Sequence, residues 1–221
     1  MRFGPLARLL GLLCGLVSLA ASAAAQSPPP VAPSPFDYYV MTLSWSPGFC
    51  DLGGEDKSPQ QCAPGSGAGF VVHGLWPDNR RGPDPEDCSD RGVSFGELSG
   101  ARGLYPSDGL ARYEYRKHGT CTGLSPRDYF ATVAYVRDNI VVPAMFRSVT
   151  QRQRASPRAI VQAFVDANAN LRPVNIAVTC VRGQLTDVRI CLTRDLRAFA
   201  VCPSVTGRTC RSDSISIAPL R

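Results

Sequence analysis

Only two histidines, His73 and His118, and two lysines, Lys57 and Lys117, occur in the 221 residues of this chain. His118 and Lys117 are neighbours in Glu114–Cys121, EYRKHGTC, and His73 lies in FVVHGLWP. Each histidine is followed by a glycine. On a helix, Glu114, Lys117 and His118 stand at i, i+3 and i+4, which brings an acid, a cation and a group titrating near neutrality to one face. Glutamate and lysine alone would read as a solvated helix face, and a lone histidine as core. The scarcity of histidine and the repeated His-Gly step argue for a site instead.

Two imidazoles can divide one proton transfer between them, one taking a proton while the other gives one. Breaking an RNA phosphodiester needs both acts: the 2′-hydroxyl must lose a proton to attack phosphorus, and the 5′-oxygen must gain one to leave. Imidazole suits both because its ordinary pKa, about 6.5, lies near working pH. The transition state gathers negative charge on the non-bridging oxygens, which a fixed ammonium such as Lys117 would stabilise. Glu114 could orient His118 or hydrogen-bond a protonated phosphoryl oxygen. No metal or other cofactor is needed.

The elements that would position these residues can be read in outline. FDYYVMTLSW alternates at Tyr39, Met41, Leu43 and Trp45, as a strand does, with Trp45 in the core. GFVVHGLW is a second β-rich run that ends in a polar loop. SDGLARYEYRKHG reads as a helix capped by Ser107 or Asp108, with Gly119 in a left-handed closing position. Ser125-Pro126 and Ser156-Pro157 open two more helices. VNIAVTC, QLTDVRICL and ISIAPL return to strand. This order predicts a single α+β domain, a central antiparallel sheet flanked by helices.

The N-terminus reads as an export signal over residues 1–25, with Arg2 and Arg8 before an apolar run and ASAAAQ offering a cut after Ala23 or Ala25. A Pro-rich linker covers 26–35, and residues 36–221 form the domain. The apolar run is short for a membrane span. Leu13 before Cys14 argues against a lipid anchor. Setting Cys14 aside leaves eight of the nine cysteines, an even number that argues for four disulfides in a periplasmic or secreted protein. Net charge is +6, and +4 without Arg2 and Arg8, a mild indication of a polyanionic partner. Lys57, after Glu55 and Asp56, is read as solvated.

FVVHGLWP and EYRKHGTC resemble the two signature segments of the ribonuclease T2 family, secreted acid endoribonucleases. The likeness extends to YYVMTLSWSPGFC and VRICL, and runs over about residues 36 to 217. It implies His118 as general base, His73 as general acid, and Lys117 with Glu114 as stabilisers of the pentacoordinate transition state. Trp76 would stack on a base, Asp78 would meet a base edge, and the product would carry a 2′,3′-cyclic phosphate. The resemblance also implies the bridges Cys50–Cys62, Cys88–Cys121, Cys180–Cys210 and Cys191–Cys202. Many relatives have a third, phosphate-binding histidine where this chain has Tyr113; Arg112 and Arg116 are near in sequence as substitutes, but neither is on the favoured helix face.

The expected partner is therefore RNA, cleaved by a monomer that has no membrane anchor and leaves DNA intact. Two other readings compete. His118 and Cys121 are spaced as H-x-x-C, but no C-x-x-C accompanies them and export favours disulfides over thiolate ligands. A ribonuclease-like protein that only binds RNA or a partner would be expected to have lost a catalytic histidine, and both are present.

Overall fold

The computed structural model describes residues 36–221 and Met1; the export signal and the Pro-rich linker lie outside the described residues. Six strands form one sheet: β1 (Tyr38–Trp45), β2 (Phe70–Asp78), β3 (Gln153–Ala155), β4 (Ile176–Val181), β5 (Gln184–Thr193) and β6 (Ile215–Ile217). Seven helices accompany them among the described residues: α1 (Ser46–Asp51), α2 (Pro59–Cys62), α3 (Phe95–Leu98), α4 (Asp108–Lys117), α5 (Pro126–Asp138), α6 (Pro157–Ala167) and α7 (Pro203–Thr206). The strand order is β2-β1-β5-β6-β3, with β4 also on β5. The pairing is antiparallel except for one parallel bridge between β5 and β6.

The register of the three central strands sorts their side chains onto two faces. Because opposed residues point the same way, Tyr39, Met41 and Leu43 on β1 share a face with Val188, Ile190 and Leu192 on β5. That face builds the main core with Trp45, which is fully buried, and with Tyr129, Phe130 and Val133 from α5. Each such side chain contributes roughly 1.5–3 kcal/mol on burial. The other face carries Tyr38, Val40 and Cys191 into a smaller cluster with Ala177 and Cys202. β1 is thus covered on both sides. This second face also carries Thr42 and Ser44, opposite Arg189 and Asp187, and there the functional side chains gather.

Serines cap the three longer helices: Ser107 accepts from the Leu110 N–H, Ser125 from Asp128 and Ser156 from Ala159. An oxygen at this position satisfies one of the helix's orphan donors, worth about 1 kcal/mol. The end of α4 departs from the sequence expectation. Gly119 does not take a left-handed conformation; a 3₁₀ turn runs Gly119–Thr122 and Gly123, at φ 75°, is the left-handed residue. His118 sits at the junction with φ −117°, outside the helical range.

Four disulfides join Cys50–Cys62, Cys88–Cys121, Cys180–Cys210 and Cys191–Cys202. The Cys88–Cys121 bridge ties the Glu86–Cys88 loop to the turn after His118. The Asp87 N–H, donating to the Lys117 carbonyl at 2.7 Å, ties it again.

Candidate active site

His73 reaches the second face through an irregularity in β2. Thr42 opposes Gly74 and Leu43 opposes Val72, which leaves His73 as the extra residue of a β-bulge. On a regular strand, residues three apart point to opposite faces. The bulge adds the missing half-step and turns His73 to the side of Trp76. Their ring centroids lie 5.4 Å apart.

Once turned, the His73 ring meets two other strands and a helix. Its Nδ1 lies 3.3 Å from Ser44 Oγ and 3.7 Å from Asp187 Oδ1. Ser44 donates to that same oxygen at 2.5 Å, and Thr179 donates to Asp187 Oδ2 at 2.9 Å. On the other side, Glu114 Oε1 is 3.7 Å from His73 Nε2. Burial alone would lower the imidazole pKa. The Asp187 contact and the Glu114 charge outweigh it and carry the pKa above its ordinary value, although Arg189 opposes them. Burial would likewise raise Asp187, but His73 and the Ser44 hydroxyl hold it low.

His118 lives under the opposite conditions. It is 9% exposed, and its Nδ1 is buried with no hydrogen-bond partner among the described residues. Burial is the largest effect and pushes its pKa down to about 4; Lys117 and His73 add to the fall against the pull of Glu86. At neutral pH this imidazole is an uncharged base, while His73 is the one favoured as imidazolium.

Between the two rings stands Trp76, 5.2 Å from His118. Its Nε1–H donates to Glu114 Oε2 at 2.7 Å. The Glu114 carboxylate therefore serves Trp76 and His73, whereas the sequence spacing suggested that it could orient His118. The helical bond from the His118 N–H to the Glu114 carbonyl is made, but His118 has left the helical φ, and the Glu114 carboxylate goes to Trp76 and His73. Burial raises Glu114 to about 6, and His73, Trp76 and Lys117 restrain the rise. Lys117 pairs with Glu86 at 3.0 Å, a contact that raises the ammonium pKa.

The glycine after each histidine leaves room. A Cβ on Gly74 would collide with the Glu114 carboxylate and the Trp76 Nε1, and one on Gly119 with the Tyr115 ring. Gly74→Ala is expected to break the Trp76–Glu114 hydrogen bond and to cost roughly 1–3 kcal/mol through overpacking. Denaturant unfolding together with a cleavage assay would register both losses. Unchanged stability and activity would show that the contact is dispensable.

Three cavities flank the histidines, one at His118 and two at His73. One, of about 180 Å³, is lined by His118, Trp76, Asp78, Asp84, Ser204 and Arg189 among others. Asp78 accepts from the Tyr38 hydroxyl at 3.0 Å, and its carboxyl is pushed up to about 7 by burial and by Asp84. Of the two at His73, one of about 200 Å³ is lined by Ser44, Phe49, Lys57, Gln61 and Ser107 among others, and one of about 320 Å³ by Ser44, Phe49 and Asp187 among others. Lys57, read from sequence as solvated, is indeed exposed, on the rim of these two cavities. Tyr113 does not join the group; it is 44% exposed with the Arg116 guanidinium 5.7 Å over its ring.

The structure therefore brings together His73, His118, Glu114 and Trp76, with Lys117 and Asp78 at the margins and Tyr113 outside. Ser44, Asp187 and Arg189 were missed in the sequence. The available signal was charge at period two in TDVRICL, where Asp187 and Arg189 fall on one face of an otherwise apolar strand. Among the described residues, no helix is long and apolar enough to cross a membrane.

Comparison with known proteins follows the same outline. The Ribonuclease T2 family model matches residues 36–202. A ribonuclease of Aeromonas hydrophila is 43% identical over 102 residues, 46% of this chain and 45% of that protein. Ribonuclease S-4 of Pyrus pyrifolia is 30% identical over 189 residues, 76% of this chain and 81% of that protein. Among solved structures, RNase NT in complex with 5′-AMP superposes with a TM-score of 0.58 at 23% identity, covering 84% of this chain and all of that one. Ribonuclease MC1 from bitter gourd seeds superposes with a TM-score of 0.57 at 20% identity, over 74% of this chain and 93% of that one. At these identities the superpositions speak for the fold, and the match across residues 36–202 speaks for descent: the chain belongs to the Ribonuclease T2 family.

Proposed function

We propose that this protein is an exported endoribonuclease that cleaves single-stranded RNA by transphosphorylation without a metal. The observation that carries the reading is the pair of imidazoles biased in opposite directions, each opening on its own cavity. Neutral His118 takes the proton of the 2′-hydroxyl of a nucleoside seated in the cavity with Trp76 and Asp78. The 2′-oxygen bonds to phosphorus, and the bond to the 5′-oxygen breaks. That oxygen takes its proton from the imidazolium of His73, and the leaving nucleoside occupies the cavity of Ser44, Phe49 and Gln61. The product is a 2′,3′-cyclic phosphate. Water then opens it to a 3′-phosphate with the proton roles reversed.

Two environments support this direction of transfer. Asp187, braced by Ser44 and Thr179, favours the charged form of His73 and fixes its ring. The dry setting of His118 keeps it ready to accept. Exchanging the roles would require the low-pKa group to be charged while the high-pKa group is neutral, a scarce state at any pH. Lys117, with Glu86 fixing its position, and Glu114 add the charge and hydrogen bonding that the pentacoordinate state draws on. DNA has no 2′-hydroxyl and remains intact. Four disulfides fit an oxidising compartment, periplasmic or extracellular.

The test is incubation of the oxidised, mature protein with a short RNA, and with its DNA counterpart, in excess EDTA from strongly acid to mildly alkaline pH. RNA-only cleavage to cyclic-phosphate ends is expected. The rate should rise as His118 deprotonates near pH 4 and fall as His73 deprotonates above its ordinary imidazole value. Cleavage of DNA, loss of activity in EDTA, or no cleavage by a folded protein would each overturn the reading, the last in favour of a binding protein.

A further inference from the structure

Tyr113 stands where the family resemblance would place a phosphate-binding histidine, and no arginine near it takes over. Arg112 is committed to the Val93 carbonyl, and Arg116 lies over the exposed Tyr113 ring. A cation arrives instead from the sheet. Arg189, on β5 opposite Thr42, holds its guanidinium carbon 5.3 Å over the Trp76 ring. Its Nε is buried without a hydrogen-bond partner. No carboxylate among the described residues comes within ion-pair distance of it.

Acids are near, but each has another partner. Glu86 holds Lys117, Asp78 accepts from Tyr38 and Asp84 from the Asn79 N–H. Asp187, two residues along the strand, is taken up by Ser44, Thr179 and His73. A guanidinium that lines a cavity with one donor buried and unpartnered calls for an anion. The ring beneath Arg189 touches both imidazoles, so that anion would lie close to both.

We propose that Arg189 grips the non-bridging oxygens of the phosphodiester held between His118 and His73, supplying from β5 the phosphate contact that Tyr113 does not provide on α4. The inference rests on the two-histidine reading and deepens it. A planar guanidinium can meet two of those oxygens at once, and its stacking on Trp76 holds the fork in place. Charge that builds on the oxygens in the transition state meets a donor already aligned.

The test uses Arg189→Gln and Arg189→Lys in the mature, oxidised protein, with inorganic phosphate as the probe. Because the chain has two histidines, phosphate binding and both imidazole titrations can be followed by NMR. Gln should weaken phosphate binding at least about tenfold and lower kcat by roughly 10²–10³, while Lys keeps part of both. His73 should also titrate at higher pH in Arg189→Gln but not in Arg189→Lys, since the positive charge at this position opposes its protonation, while the loss of phosphate binding in Arg189→Gln is a readout that a purely structural role would not move. Wild-type phosphate affinity in a folded Arg189→Gln would overturn the assignment. A wild-type protein that cleaves no RNA would fault the ribonuclease reading, leaving the phosphate measurement to decide on Arg189.

Discussion

Replacing His118 by alanine is expected to lower RNA cleavage by roughly 10²–10⁴-fold, the usual worth of a positioned general base, whatever the leaving group. Without a base, the 2′-hydroxyl attacks as a neutral oxygen, and a better leaving group does not mend a poor nucleophile. The fold should survive. The His118 Nδ1 makes no hydrogen bond that the substitution would remove, and the bond that ends α4, from the His118 N–H to the Glu114 carbonyl at 2.9 Å, belongs to the backbone. A steady-state assay with circular dichroism on the same sample checks both halves. Activity within a few-fold of wild type in a folded variant would remove His118 from the mechanism.

The His73→Ala variant should lose a similar factor on RNA but recover on a substrate that needs no acid. RNA expels a 5′-alkoxide, a poor leaving group unless it is protonated. A nucleoside 3′-(4-nitrophenyl phosphate) expels a phenolate that is stable without a proton. His73→Ala is therefore expected to cleave the nitrophenyl ester at close to the wild-type rate, and His118→Ala is not. The opposite pattern, with rescue of His118→Ala alone, would exchange the two roles. Because the His73 side chain is 40% exposed, its truncation leaves little cavity and the comparison stays clean.

Much of the scaffold is local and was therefore legible in the sequence. The alternation of Tyr39, Met41, Leu43 and Trp45 reports the face of β1 that meets the core, and Ser-Pro steps report where α5 and α6 begin. The site is less local. Whether His73 faces the core or the cleft depends on one extra residue in the β1–β2 register, which nothing in FVVHGLWP announces. Glu114 and His118 are four apart and share the last helical backbone bond, yet the carboxylate turns to Trp76. Gly119 looked like a helix stop, but the tight spot it relieves is the Tyr115 ring, a contact made by tertiary packing. Asp187 and Arg189 lie far along the chain from both histidines and join them only because β5 pairs with β1.

The most direct measurement is an NMR titration of the two imidazoles in the wild-type protein, whose two histidines give two resolvable ε1 signals. His118 is expected to take up its proton only near pH 4, and His73 to hold its proton past the ordinary imidazole value. Assignment by His73→Ala identifies each signal. Two signals titrating together, or His118 holding its proton to the higher pH, would contradict the division of labour proposed for this site.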